Sequence, residues 1–243
     1  MRRLQRLGLS AKAEAFLRKR KARVAGATDP RKEAERLWRL RDNNAFREIR
    51  ESLSRMASGL ERCMYCEDSQ GTGIDHFWPQ TPYPNRAFDW DNYLLACAHC
   101  NSHQKRDRFP LSPAGLPLLI DPTVEDPLNH LTFSPSTGRY EPGPGSAKGS
   151  PSIEVFGLNR AILIRGRHDA WVVLGQLLIR YAESRRQGED ELSARIEDAV
   201  RRHPFAGVLA VLLQIAAGPE PALFLTAGIL EAIRQNPEIL TWS

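Results

Sequence analysis

The spacing of the cysteines constrains this chain more than any other feature. All four cysteines fall in two Cys-x-x-Cys pairs, Cys63 with Cys66 and Cys97 with Cys100, and 30 residues separate the pairs. Two such pairs can supply the four thiolates of a closed, tetrahedral, structural Zn²⁺ site. The metal would hold together the ends of a segment whose own apolar core is small. The competing interpretation is that these are four unrelated reduced cysteines.

The rest of the chain is typical of a globular protein without a membrane segment. Met1 to Val24 is basic and interrupted by charges, unlike a signal peptide, and the apolar run 205–217 is too short to cross a bilayer. We therefore expect a cytoplasmic, reducing location, where paired cysteines bind metal rather than form disulfides. The net charge of +5 is compatible with a polyanionic partner, although many soluble proteins share it.

The hydrophobic pattern predicts helices at both ends of the chain. Ser10 is a plausible N-cap for a first helix, Asp29-Pro30 begins a second, and apolar residues then recur at helical spacing up to Gly59. The basic faces of these helices suit either solvent or phosphate. Four further helices are predicted in the C-terminal third, over 159–184, 189–202, 205–217 and 221–235.

The middle of the chain is richer in glycine, proline and aromatic residues, which favours short strands and loops. We expect a strand over 73–77 and a helix that begins near Ala98 or Asn101. A hairpin is predicted from 130–133 and 138–141, followed by a surface loop at 148–151. The fold class is thus mainly α with a small α+β insertion. The predicted regions are an N-terminal helical region (1–59), a zinc-bound core (60–112), a loop and hairpin connector (113–157) and a C-terminal helical region (158–243).

The segment between the cysteine pairs carries residues suited to catalysis. Asp75 and His76 adjoin at an apolar strand, so a carboxylate and an imidazole enter one local site. Hydrolysis of a phosphodiester needs a base for water and a hard cation for the phosphoryl and leaving oxygens. Mg²⁺ is held by few protein oxygens, so one aspartate and one asparagine would suffice.

These residues resemble the HNH, or ββα-metal, endonucleases in the form with flanking Cys-x-x-Cys pairs. The resemblance covers about 63–110 and rests on Asp75-His76, a central Asn92, and Cys97-x-x-Cys100-Asn101 followed by Lys105. It implies that His76 is the general base, that Asp75 and Asn101 bind Mg²⁺ or Mn²⁺, and that Asn92 holds the loop that orients His76.

Two features of the resemblance leave the site open. Other members have histidine where Asn101 stands, so His103 is an alternative ligand of the catalytic metal. Lys105, Arg106 and Arg108 would lie on the helix after the last cysteine, where cations can contact the phosphates of DNA. A basic helix end exposed to water is the alternative for each of them.

A looser resemblance extends over about 60–170. The segments 88–92, 119–122 and 153–160 are similar to HNH proteins of Septu-type and retron-linked bacterial anti-phage systems, which work beside an ATPase. It implies a defence role and an ATPase partner, and a homo-oligomer is compatible with it. The competing hypothesis is a non-catalytic, zinc-stabilised module that binds nucleic acid or a protein partner.

Overall fold

The computed structural model describes residues 1–242, most of which are helical, and the predicted fold class of mainly helix with a small β part is confirmed. The β part consists of two separate antiparallel hairpins, β1–β2 and β3–β4. The elements of the described chain are α1 (Ala11–Ala25), α2 (Pro30–Arg39), α3 (Asn44–Met56), β1 (Gly73–His76), β2 (Tyr93–Ala96), β3 (Leu131–Phe133), β4 (Tyr140–Pro142), α4 (Gly149–Val155), α5 (Ala161–Arg186), α6 (Asp190–Arg201), α7 (Ala206–Ala216) and α8 (Ala227–Gln235).

Helices α1 and α2 begin where the sequence predicts. The Ser10 side chain accepts a hydrogen bond from the backbone N–H of Ala13 (3.2 Å), and the Asp29 carboxylate accepts one from that of Lys32 (3.0 Å). Each side chain satisfies a backbone donor that the first helical turn leaves free, which stabilises the helix start.

The helical pattern that runs up to Gly59 is divided in the structure. Helix α2 ends at Arg39, and α3 begins after Asn43, whose side-chain oxygen accepts from the backbone N–H of Phe46 (3.2 Å). Because Asn43 caps a new helix, the chain turns here, and each half buries its own apolar face. The sequence pattern does not reveal this turn, since the apolar spacing continues across it.

Strand β1 pairs with β2 in antiparallel register, which places Asp75 opposite Leu94 and His76 opposite Tyr93. Strand β2 leads directly into the second cysteine pair. The chain then forms a short π-helix, His99–Lys105, which we call the knuckle helix. The strand near Gly73 and the helix after Ala98 are thus present as predicted.

The connector contains one predicted and one unpredicted element. The hairpin β3–β4 forms as expected, but the predicted surface loop at 148–151 is wrong because α4 begins there. The Ser146 hydroxyl accepts from the backbone N–H groups of Lys148 (3.1 Å) and Gly149 (3.2 Å) and so supports the first turn. A Cβ atom at Gly149 would lie 2.3 Å from the carbonyl oxygen of His130, so glycine permits a close approach to the hairpin.

The C-terminal helices pack around α5, which contacts α6, α7 and α8. Helix α7 is largely buried, as its apolar composition predicts. The helix predicted over 221–235 is instead a 3₁₀ turn, Pro221–Leu223, followed by α8. Within residues 1–242, none of the helices has the length and apolar character needed to span a bilayer.

Candidate functional site

The two cysteine pairs meet at one point. Cys97 follows β2 directly and Cys100 lies in the knuckle helix, while Cys63 and Cys66 come from the turn ahead of β1. The four sulfur atoms lie within 4.8 Å of one another, and all four cysteines are buried. A tetrahedral zinc ion with Zn–S bonds of about 2.3 Å separates its sulfurs by roughly 3.8 Å, and Cys66 Sγ lies 4.0 Å from Cys97 Sγ. The donor set therefore fits Zn²⁺.

The cysteine thiols differ in pKa. Burial raises the pKa of Cys63, whereas hydrogen bonding from the Cys100 thiol lowers the pKa of Cys66 to about 6. Four thiols packed this closely share protons among themselves, and a divalent cation would take all four as thiolates. The Arg160 guanidinium also faces this cluster, with its two terminal nitrogens 3.9 and 4.0 Å from Cys100 Sγ.

His76 is held in one orientation beneath the N-terminal helices. Its Nε2 lies 2.9 Å from the carbonyl oxygen of Ala87. A carbonyl only accepts, so Nε2 carries the proton and Nδ1 keeps a free lone pair. Burial lowers the pKa of His76 to about 4, and the ring is therefore neutral at pH 7. The indole of Trp38 covers it, with ring centroids 4.3 Å apart, and leaves 7% of the residue exposed.

Asn92 fastens the loop that carries the partner of His76. Its side-chain oxygen accepts from the backbone N–H of Trp78 (2.7 Å), and its Nδ2 donates to the carbonyls of Trp78 (3.0 Å) and Arg86 (2.9 Å). Arg86 immediately precedes Ala87, so Asn92 fixes the peptide that binds the imidazole. Both donors of this buried carboxamide, and one acceptor position of its oxygen, are thus used on backbone groups of this loop.

Asp75 lies deeper, in a polar cluster that the sequence does not reveal. Its carboxylate accepts a hydrogen bond from Tyr65 Oη (2.5 Å) and forms an ion pair with Lys105 Nζ (3.2 Å). Lys105 Nζ also donates to the carbonyl oxygen of His76 (2.6 Å). Burial raises the pKa of Tyr65, which keeps its hydroxyl protonated as a donor. A carboxylate has about four acceptor sites, so Asp75 retains capacity for a further partner.

The prediction that Lys105 contacts phosphate is therefore wrong, because Lys105 is fully buried and paired with Asp75. Arg106 is exposed, and its Nε donates to the carbonyl of Ser102 (3.1 Å). Arg108 is also exposed, but its guanidinium donates to the carbonyls of Gln104 and Val155.

The two alternatives for the second metal ligand occupy different surroundings. Asn101 is partly buried at the start of the knuckle helix, and its amide nitrogen lies 3.9 Å from the position of a Cβ atom built on Gly73. It thus faces the beginning of β1, the strand that carries Asp75. His103 is exposed, stacks on His99, and places Nδ1 3.2 Å from the carbonyl of Ala98.

Some residues of the site escape sequence reasoning. Trp38 fits the apolar pattern of its helix, and Tyr65 lies between Cys63 and Cys66 in the sequence. Neither residue can therefore be assigned to the site from the sequence alone. Arg160 lies within the segment 153–160, which the looser resemblance includes, but nothing in the sequence pairs it with Cys100.

Comparison with known proteins shows a partial similarity to a Septu protein. No family model matches it. A protein named Septu protein PtuB, from Bacillus mycoides (strain KBAB4), is 32% identical over an alignment of 148 residues that covers 49% of this chain and 49% of that protein. The chain thus spans about half the length of this curated relative. The similarity supports the resemblance to Septu-type proteins that the sequence indicates.

Proposed function

We propose that this chain is a metal-dependent HNH endonuclease that cuts DNA as an effector of a Septu-type anti-phage system. The observation that carries the proposal is the state of His76. Its Nε2 proton is committed to the Ala87 carbonyl, so Nδ1 remains a lone pair that can accept a proton from water. The low pKa of about 4 keeps that lone pair free at neutral pH.

The neighbouring residues fit the parts that the reaction requires. The order β1, β2 and knuckle helix is that of a ββα unit. Asp75 and Asn101 would hold Mg²⁺ or Mn²⁺, since carboxylate and amide oxygens are the donors that these cations prefer. When bound, the cation stabilises charge on the phosphoryl and leaving oxygens. Asn92 positions the base through Ala87, and zinc on the four cysteines holds the ends of the unit together.

Asn101 is the preferred second ligand. Its side chain faces the start of β1, whereas His103 is exposed and stacked on His99. We expect Asn101→Ala to raise the Mg²⁺ concentration needed for half-maximal cleavage, and His103→Ala to leave it near the wild-type value.

The defence role and the ATPase partner rest on the similarity to the Septu protein. A partner would also change access to His76 if its binding shifted the Trp38 indole, which packs on the imidazole with ring centroids 4.3 Å apart. Binding of an ATPase to the helical regions would supply such a shift. One site of this kind cuts one strand, so a double-strand break would require two sites or two events.

The direct test is plasmid cleavage with Mg²⁺ or Mn²⁺. General-base catalysis contributes about 10²–10⁴-fold, so His76→Ala should lower the rate by at least roughly 100-fold. His168→Ala is the matched control, because His168 is exposed on α5, far along the chain from the site. Both variants should keep the zinc content and helical circular dichroism of the wild type. Full cleavage by a folded His76→Ala variant would show that His76 is not the base, and salt-sensitive DNA binding without cleavage under any metal would favour the non-catalytic module.

A further inference from the structure

A basic groove lies beside the candidate site, on the N-terminal helices. It runs between α2, α3 and the start of β1 and has a volume of about 720 Å³, within the usual range of ligand pockets. Four arginines and two acidic residues line it, so its walls carry a net charge of +2. The arginines are Arg39, Arg41, Arg47 and Arg50, and the acids are Asp42 and Glu51.

Two of these arginines are free to bind a ligand. Within residues 1–242, neither Arg39 nor Arg47 has a guanidinium nitrogen within 4.0 Å of an acidic oxygen, and both residues are exposed. Arg50, in contrast, donates to the carbonyls of Thr72 (2.7 Å) and Gly71 (2.9 Å) and so ties the groove to β1. A free guanidinium offers a planar pair of donors that matches the oxygens of a phosphate.

Arg39 and Arg47 differ in this respect from the cations at the end of the knuckle helix and just after it. Lys105 is buried in an ion pair, and the guanidinium of Arg108 donates hydrogen bonds to backbone carbonyl groups. These two arginines stand on different helices, Arg39 at the end of α2 and Arg47 in the first turn of α3.

The groove reaches one of the candidate metal ligands, Asn101. Gly73, Ile74 and Asn101 form part of its lining, and so does Trp38. The Trp38 indole also packs on His76, with ring centroids 4.3 Å apart. Arg41 stacks on the same indole, with its guanidinium carbon 5.4 Å from the ring centroid. A polyanion bound along the groove would therefore lie against the residue that shields His76.

We propose that Arg39, Arg41 and Arg47 bind the sugar-phosphate backbone of the DNA strand to be cut and lead it to Asn101 and His76. This inference rests on the proposed nuclease function. The main contact with the DNA backbone then lies on α2 and α3, and not at the end of the knuckle helix. The contacts are to phosphates, so they supply affinity and register rather than sequence recognition.

The test compares two double variants of equal net charge. Arg39→Ala/Arg47→Ala removes the free groove cations. Arg165→Ala/Arg195→Ala removes two exposed cations from α5 and α6 that also lack an acidic partner among residues 1–242. Binding of labelled single-stranded and duplex DNA is measured by fluorescence anisotropy on the zinc-loaded full chain, without other divalent cations, from 50 to 300 mM salt.

Loss of two phosphate contacts should reduce the slope of log affinity against log salt by about 1.4 for single strands and about 1.8 for duplex. If the lines meet near 1 M salt, affinity at 0.1 M falls roughly 25- to 60-fold. The control variant should stay within about threefold of wild type, because its cations lie outside the groove. Arg39→Lys/Arg47→Lys keeps the charge and should recover most of the salt slope.

Several results separate this inference from the nuclease proposal. If the groove variant binds like the control, or if wild type shows no measurable binding at 50 mM salt, the groove assignment is overturned. If binding falls as expected but wild type cleaves under no divalent cation, the groove stands and the catalytic proposal fails. His76-dependent cleavage that the groove variant retains in full would overturn the groove alone.

Discussion

Replacing Lys105 by methionine should strongly destabilise the protein. Methionine keeps an unbranched chain of similar length but removes the ammonium group. Asp75 is 4% exposed and Lys105 0% exposed, so the change leaves a carboxylate buried without its cation. Removing one partner of a buried ion pair costs about 3–5 kcal/mol of unfolding free energy. The carbonyl of His76 also loses its donor at 2.6 Å, which places the effect toward the upper end of that range.

Equilibrium urea denaturation of zinc-loaded protein measures this effect, with Asp75→Asn and the double variant completing a mutant cycle. Asp75→Asn strands the Lys105 cation, whereas the double variant removes both charges and keeps an acceptor for Tyr65. The double variant should therefore be more stable than the sum of the single losses implies, with a coupling energy of about 2–3 kcal/mol. The dependence of unfolding free energy on urea should stay unchanged in all variants, since the exposed surface is the same.

A loss below about 1 kcal/mol in Lys105→Met would refute the reasoning, because that magnitude is typical of a solvent-exposed pair. Additive effects of the two substitutions would refute it as well. Either result would mean that Asp75 and Lys105 do not compensate each other in the folded protein.

Three further outcomes are expected. Cys97→Ser should remove the bound zinc, as measured by elemental analysis, and chelation should lower the thermal midpoint of the wild type; an unchanged midpoint after complete zinc removal would contradict a structural role. Stability should be fully present above pH 6.5 and fall by about 3 kcal/mol as pH drops from 6.5 to 4, because unfolded His76 binds a proton that the folded ring, with a pKa of about 4, excludes. Urea denaturation at pH 7 and pH 5 checks this, and His76→Phe should reduce the difference between the two. Arg160→Leu should weaken zinc retention about 10- to 100-fold in competition with a chromophoric chelator, while Arg165→Leu should not, because only Arg160 lies beside Cys100 Sγ; equal retention would assign Arg160 a packing role alone.

Local chemistry made part of this structure predictable. The caps at Ser10 and Asp29, the strand at Gly73 and the meeting of the cysteine pairs depend on neighbouring residues or on metal geometry. The burial of Lys105 depends on where the knuckle helix packs against β1. Nothing in the sequence around Lys105 distinguishes it from a lysine on the surface. The same holds for Trp38, whose contact with His76 joins residues from two distant segments.

The sequence predicts which residues form the candidate catalytic site better than it predicts whether solvent reaches them. Asp75 and His76 adjoin in the sequence, but successive side chains of a strand point to opposite faces, so their common site follows from the resemblance and not from strand geometry. Whether that site faces water depends on α2 and α3, which cover it with side chains that a motif of 50 residues does not include. The division of the N-terminal helical pattern at Asn43 has the same origin, since the turn is needed to bring both halves onto the hairpin.

The contact between Trp38 and His76 limits how far the proposed nuclease unit can be transferred as an independent segment. A fragment that starts at residue 60 would retain the cysteines, Asp75 and Asn101, but it would leave His76 and Tyr93 without the indole that packs on both of them. The imidazole would then be hydrated, and its basicity would return toward that of free histidine. In a graft onto another scaffold, or in a comparison among relatives of different length, the unit to consider is therefore the motif together with α2 and α3, the helices that cover it.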